Sequence, residues 1–314
     1  MVTVLRPLST SELLDRTFHL YKNNFWLFVG ITALPQLLVL VLRLGSAAML
    51  ASHFFVVAGT TTAIILLSSL IAVEISHAGT VVAVSDLYLE KPAAIGSAYK
   101  IARRSLIRVI GISVVFVLLP AVIAGLAIGL IAVIAVPLAL GARGSGGLDN
   151  VTLIRLVSGL VALALVVLIP LIGLRWWLSW AVAIPATVIE GTGVRASLLR
   201  SKLLTKGSRG RIFIICLLMI GLAWTVSALI QLPIFVTAGF GFFRDPSTVT
   251  PFVRVMLAAG GFLSASLVGP LLTIALTLVY YDQRVRKEGF DLQLMMASLQ
   301  PGSPAQAAAA ATSN

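Results

Sequence analysis

The sequence predicts an all-α polytopic membrane protein with six transmembrane helices, and three observations lead there. First, 59% of the 314 residues are hydrophobic and 11% are charged, with a mean hydropathy of +1.06. A soluble domain carries about 45–50% apolar and about 25% charged residues. Second, six apolar runs are long enough to cross a hydrocarbon core of about 30 Å, which takes about 20 helical residues. Third, Lys and Arg gather in short clusters on one side of those runs, the pattern that sets orientation in polytopic proteins.

The first element is an amphipathic helix rather than a span. Ser9 is placed to cap it, with Glu12 reaching back in an S-x-x-E box. At about 100° per residue, Leu13, Leu14, Thr17, Phe18, Leu20 and Tyr21 share one face; Glu12, Asp15, Arg16, His19 and Lys22 share the other. Such a helix is expected in the membrane interface, apolar face down. After a turn at Asn23-Asn24, the first span runs from Phe25 to Leu42. The second lies within Thr60 to Ser85. The third, Val109 to Leu140, has length to spare for tilt or extension. The fourth covers Leu156 to Ala186, the fifth Ile212 to Phe240 and the sixth Val253 to Tyr281. GARGSGGLDN and RDPSTVTP read as loops, and the Pro-, Ser- and Ala-rich tail over 299–314 as disordered.

Of the 23 Lys and Arg residues, seventeen fall on one side of the spans and five on the other, with Arg175 inside a span. That split predicts both termini in the cytoplasm. No basic n-region with a short apolar run and small-residue cleavage site opens the chain, so no cleaved leader is expected.

The opening plan recurs. PAAIGSAYKIARRSLIRVIG leads into the third span, with Ile95, Ala98, Ala102 and Leu106 as its stripe. GVRASLLRSKLLTKGSRGRIF leads into the fifth, with Ala196, Leu199 and Leu203. Three cytoplasmic interfacial amphipathic helices are therefore expected. They would introduce a threefold repeat of helix-hairpin units over 6–90, 91–190 and 191–290, within one transmembrane domain spanning 1–298. Prolines at 35, 120, 137, 170, 185, 233 and 270 lie in or at the ends of spans. Each removes a backbone donor, so neighbouring side chains must satisfy the freed carbonyls.

Catalytic constellations are missing. His19, His53 and His77 form no H-E-x-x-H signature, and there is no G-x-S-x-G elbow or P-loop. Cys216 is the single cysteine, which excludes a disulfide framework or a cysteine metal site. No catalytic, metal or cofactor-binding residue is assigned, and a non-enzymatic protein without cofactors is expected. The net charge of +12 comes from clusters between apolar runs, which argues against nucleic acid as a partner. Lys100, Arg103, Arg104, Arg200, Lys202 and Lys206 are the candidates for contact with anionic lipid headgroups, at about 1 kcal/mol per basic residue near the surface. Topology alone also accounts for those charges.

Three polar groups lie inside spans. Glu74 falls near the middle of the second and Arg175 near the middle of the fourth, at similar depth, so the two are candidates for an interhelical pair, with His77 one turn from Glu74 as a third member. The plainer alternative is a protonated Glu74 bonded to His77, with Arg175 snorkelling past Trp176, Trp177 and Trp180 toward the cytoplasm.

Four stretches, in order, resemble a known family. They are LRPLSTSELLDRTFHLYKNNF, GTVVAVSDLYLEKP, RASLLRSKLLTKG and, most specific, YYDQRVRKEGFDLQLM. Together they resemble the membrane domain of the glycerophosphoryl diester phosphodiesterase family, which also occurs as stand-alone bacterial membrane proteins. The resemblance implies a multi-pass protein of the bacterial cytoplasmic membrane. In enzyme members a separate soluble domain does the hydrolysis. No such stretch is present here, so the resemblance carries neither that activity nor any catalytic residue. The expectation is a membrane protein that anchors partners or interacts with lipids, with a transporter or lipid-moving protein as the alternative.

Overall fold

The computed structural model describes residues 7–49, 55–140, 150–238, 250–289 and 296. Among the described residues it is helical apart from short connections, with no strand. The helices are α1 (Thr10–Asn23), α2 (Phe25–Met49), α3 (Phe55–Tyr88), α4 (Ile95–Leu140), α5 (Asn150–Trp180), α6 (Ala183–Glu190), α7 (Val194–Thr205), α8 (Arg209–Ala238) and α9 (Pro251–Glu288). Six stretches are long and apolar enough to cross a membrane: Phe25–Ser46, Gly59–Tyr88, Ile95–Leu126, Gly159–Glu190, Arg209–Val236 and Pro251–Glu288. The predicted loops at 141–149 and 239–249 and the tail over 299–314 lie outside the described residues.

The capping box of α1 forms as its sequence dictates. Ser9 Oγ accepts from the Glu12 amide at 3.2 Å, and Glu12 Oε2 accepts from the Ser9 amide at 2.7 Å. Its apolar face is placed differently from the interfacial expectation. Leu13 and Thr17 are fully buried in the protein, and Leu14, Leu20 and Tyr21 pack on the same core. Phe18 alone of that face stays largely exposed. Tertiary packing, chiefly against α9, has taken the stripe that lipid was expected to cover.

The second expected interfacial helix is not a separate element. It continues into the span as the first turns of the 46-residue α4. No Gly-Pro or capping signal interrupts the stretch from Ala98 to Pro120, so helix propagation carries through. At 1.5 Å per residue α4 is roughly 70 Å long, more than twice a hydrocarbon core. The third, α7, is discrete. Gly207, at φ +86°, takes the left-handed turn that separates it from α8.

The fourth span is broken. α5 stops at Trp180 and α6 starts at Ala183. Pro185 lacks the N–H that would have bonded the Ala181 carbonyl, which marks the break. α7 closes the gap from outside: Ser201 and Thr205 hydroxyls donate to the Ser179 carbonyl at 3.0 and 3.1 Å.

The freed carbonyls of two other prolines find donors on neighbouring helices. Pro35 frees Ile31 O, which accepts from Tyr99 Oη of α4 at 2.5 Å. Pro270 frees Ser266 O, which accepts from Thr32 Oγ1 of α2 at 2.8 Å. Tyr21 Oη adds a bond to the adjacent Leu267 O at 2.6 Å. In hydrocarbon, burial against protein gains little over burial against lipid, so close packing and such bonds hold helices together. Gly79 shows the packing side. A Cβ there would sit 2.9 Å from Ile31 Cγ2 and 3.6 Å from the Tyr99 ring, so a larger residue there would force Ile31 to shift where α2, α3 and α4 meet.

The helices pack in sequence around an open ring. α8 lies on α9, α9 on α2, α2 on α3, α3 on α4 and α4 on α5, while α9 also touches α3 across the middle. α5 and α8 barely meet, which leaves a seam. The core sits toward the end that carries the basic clusters. On α4 the described buried side chains run from Ala98 to Ser113, and on α5 they begin at Leu178. Beyond those points, Val117, Leu118, Leu163 and Leu171 are exposed, as suits a lipid-facing surface.

Candidate functional site

Two polar constellations stand out. The first ties the basic ends of the helices together. Asp282, 2% exposed, accepts from the Leu8 amide at 2.8 Å, Arg211 Nη1 at 2.6 Å and Arg286 Nε at 2.9 Å. Arg211 and Arg286 also donate to the Leu8 carbonyl. Both backbone groups of Leu8 are thereby held by one charge cluster. Alongside it, Glu190 accepts from Arg200 Nε at 3.0 Å and from Tyr280 Oη at 2.7 Å. Arg200 also binds Glu288, which pairs with Arg284 at 3.3 Å. The hydrogen bond that Arg200 donates to Glu288, reinforced by Glu190, pushes the Arg200 pKa up. Tyr88 stacks on Tyr281 with ring centroids 4.5 Å apart, and Arg16 lies 4.9 Å above the Tyr88 ring. Nearly every residue of YYDQRVRKE at the end of α9 has a partner here. The constellation is filled by its own side chains, and its arrangement is that of a lock.

The lock assigns a partner to one residue expected at the lipid surface. Arg200 is engaged by Glu190 and Glu288. Sequence reading missed this because Glu190 and Glu288 lie 10 and 88 residues away. One part was readable: Asp282 with Arg286 and Arg284 with Glu288 are both i,i+4 pairs. Lys100, Arg103 and Arg104 on α4, and Lys202 and Lys206 on α7 and its end, are exposed and have no carboxylate partner among the described residues.

The second constellation is intramembrane. Glu74 on α3 is 5% exposed, and its Oε2 lies 3.6 Å from His77 Nδ1, too far for a hydrogen bond. Neither atom has a hydrogen-bond partner. The pair faces a cavity of about 250 Å3 between α3, α4, the α5–α6 break and α9, walled by Phe116, Trp177, Ile184, Pro185 and Leu272. His77 also reaches a small pocket of about 90 Å3 whose lining includes Thr32, Gln36, Ser76 and Thr80. A larger apolar crevice of about 410 Å3 between α4 and α5 shares Phe116 and Trp177 with the first. Arg175 is not part of this site. It lies exposed on α5, and no ion pair joins it to Glu74. The Glu74–Arg175 pair is therefore not formed; Glu74 lies instead beside His77 on its own helix. Equal depth on two spans did not place the two side chains on facing surfaces. Trp177 lines the cavity, while Trp176 and Trp180 line the crevice beside it.

Comparison with family models, with curated proteins and with solved structures gives no match.

Proposed function

We propose that the chain is a non-enzymatic integral membrane protein of the bacterial cytoplasmic membrane, with both termini in the cytoplasm, that engages anionic lipid headgroups. The reading follows the resemblance to the glycerophosphoryl diester phosphodiesterase membrane domain. The observation that carries it is how charge is sorted at the basic end. Glu190, Asp282 and Glu288 are consumed by Arg200, Arg211, Arg284 and Arg286. Lys100, Arg103, Arg104, Lys202 and Lys206 are exposed and have no carboxylate partner among the described residues. Such cations each gain about 1 kcal/mol near an anionic surface.

Native mass spectrometry of lipids retained by the purified protein tests this. Replacing Lys100, Arg103 and Arg104 together by Gln is expected to lower the ratio of anionic to zwitterionic lipid by roughly tenfold or more, from about 1 kcal/mol for each lost charge. An unchanged ratio would reduce these charges to topology signals. A second reading, a transporter or lipid-moving protein, is favoured by the broken fourth span beside the Glu74–His77 cavity. Flux into proteoliposomes above that of empty vesicles separates the two.

A further inference from the structure

We propose that the Glu74–His77 cavity is a binding site for an apolar molecule carrying a protonated amine, with its head at Glu74 and its body in the crevice between α4 and α5. The inference rests on the intramembrane geometry alone and stands apart from the headgroup reading. Glu74 is more than nine-tenths buried, near the middle of its span, and its Oε2 has no hydrogen bond. His77 Nδ1, 3.6 Å away, has none either. Native proteins rarely leave buried polar atoms unpaired, and an orphan facing a cavity points to a missing partner. Glu74 Oε2 and, in the tautomer whose Nδ1 carries no proton, His77 Nδ1 are two acceptors close enough for one donor bearing two N–H groups. An ammonium supplies both and brings the charge that a buried carboxylate lacks.

The alternatives fit less well. A hard cation such as Ca2+ takes about 6–8 oxygen ligands, whereas the cavity offers one carboxylate. Among the described residues no group of three His, Cys, Asp or Glu gathers anywhere. An anion would meet Glu74 itself. The walls select the rest of the ligand. Phe116 and Trp177 belong both to the cavity and to the apolar crevice, so head and body sites share a wall. The cavity, at about 250 Å3, lies just below the range of about 300–1,000 Å3 typical of small-molecule sites, and the neighbouring crevice of about 410 Å3 lies within it. Trp177 presents an aromatic surface near the proposed ammonium, a favourable setting for a cation. The α5–α6 break also lies here, and irregular backbone at membrane depth is tolerated where it is buried or lines a cavity.

The test titrates the full chain, in nanodiscs of neutral phosphatidylcholine, with phenylbutylamine and with its uncharged counterpart phenylbutanol, by calorimetry against empty nanodiscs. The amine is expected to bind saturably at one site, and the alcohol is not. Glu74→Gln is expected to weaken the amine by roughly thirtyfold or more, the loss typical of a desolvated charge partner. Should Glu74→Gln fail to fold, Val117→Trp serves instead. Val117 is exposed at the cavity rim, and a larger side chain there is expected to block entry with Glu74 intact. No saturable heat with the amine, equal binding of the alcohol, or unchanged amine affinity in the folded variant overturns the proposal.

Discussion

Asp282 is the residue on which the basic end turns. Its carboxylate is almost wholly buried and receives one backbone and two guanidinium donors. Removing one partner of a buried ion pair typically costs about 3–5 kcal/mol, because the remaining charges stay desolvated. Arg286 is 38% exposed, so its share is screened and the lower end applies. Asp282→Asn is expected to destabilise by about 3 kcal/mol, read as a lower midpoint in detergent thermal unfolding. It also releases the Leu8 segment, so trypsin should cut at Arg16 faster in the variant. A midpoint and cleavage rate equal to the parent's would show that Asp282 holds nothing.

At the scale of helices, the proline contacts make the sharpest case. Tyr99→Phe removes the donor that satisfies Ile31 O, and leaves that carbonyl unpaired at a cost of about 1–3 kcal/mol. Pro35→Ala restores the intrahelical donor. The two changes should therefore be strongly non-additive: Tyr99→Phe is expected to cost much less in the Pro35→Ala background. Equal costs in both backgrounds would mean that Tyr99 acts only by packing.

The same helices mark how far the sequence could be read. Spans, the Ser9–Glu12 cap and the need to satisfy proline carbonyls are local properties of composition and spacing, and they were legible. That Tyr99 would serve Ile31, 68 residues away, was not. The α5–α6 break was only half legible, since Pro185 announced a disturbance but not the docking of Ser201 and Thr205 on Ser179. In the candidate site, Glu74 and His77 were found because a turn of helix joins them. Arg175 was misplaced because helical depth is a one-dimensional coordinate, whereas pairing also depends on rotation about each axis.

For the whole molecule, orientation and closure are the open physical quantities. The charge split predicts that reporters fused at Met1 and Asn314 are cytoplasmic and that one inserted at Gly146 is external. A reporter at Gly146 found inside would reverse that orientation. The ring of helices bears on the repeat. If α2–α3, α4–α5 and α8–α9 were related by a threefold axis, α3–α4, α9–α2 and α5–α8 would be equivalent contacts. The first two are extensive and the third is slight, so any such relation is broken at the seam. α3 and α9 hold the centre, while the described side chains of α4 beyond Ser113 and of α5 before Leu178 are mostly exposed.

The bond between Leu8 and Asp282 spans 274 residues, and that distance is also an interval of time. A ribosome adding roughly 5–20 residues per second leaves Leu8 waiting roughly 14–55 s for its acceptor to be made. During that interval α1 lacks the wall against which Leu13 is later buried. α9 thus completes the environment of α1, and a translation product ending before Asp282 has the five earlier described spans yet cannot shut. Cellular proteases that sample loose ends would meet an accessible α1 in such a product and a shielded one in the finished chain. The clasp closes only once α9 has been made through Asp282, so α1 is shielded in a chain that includes that residue and open in one that stops short of it.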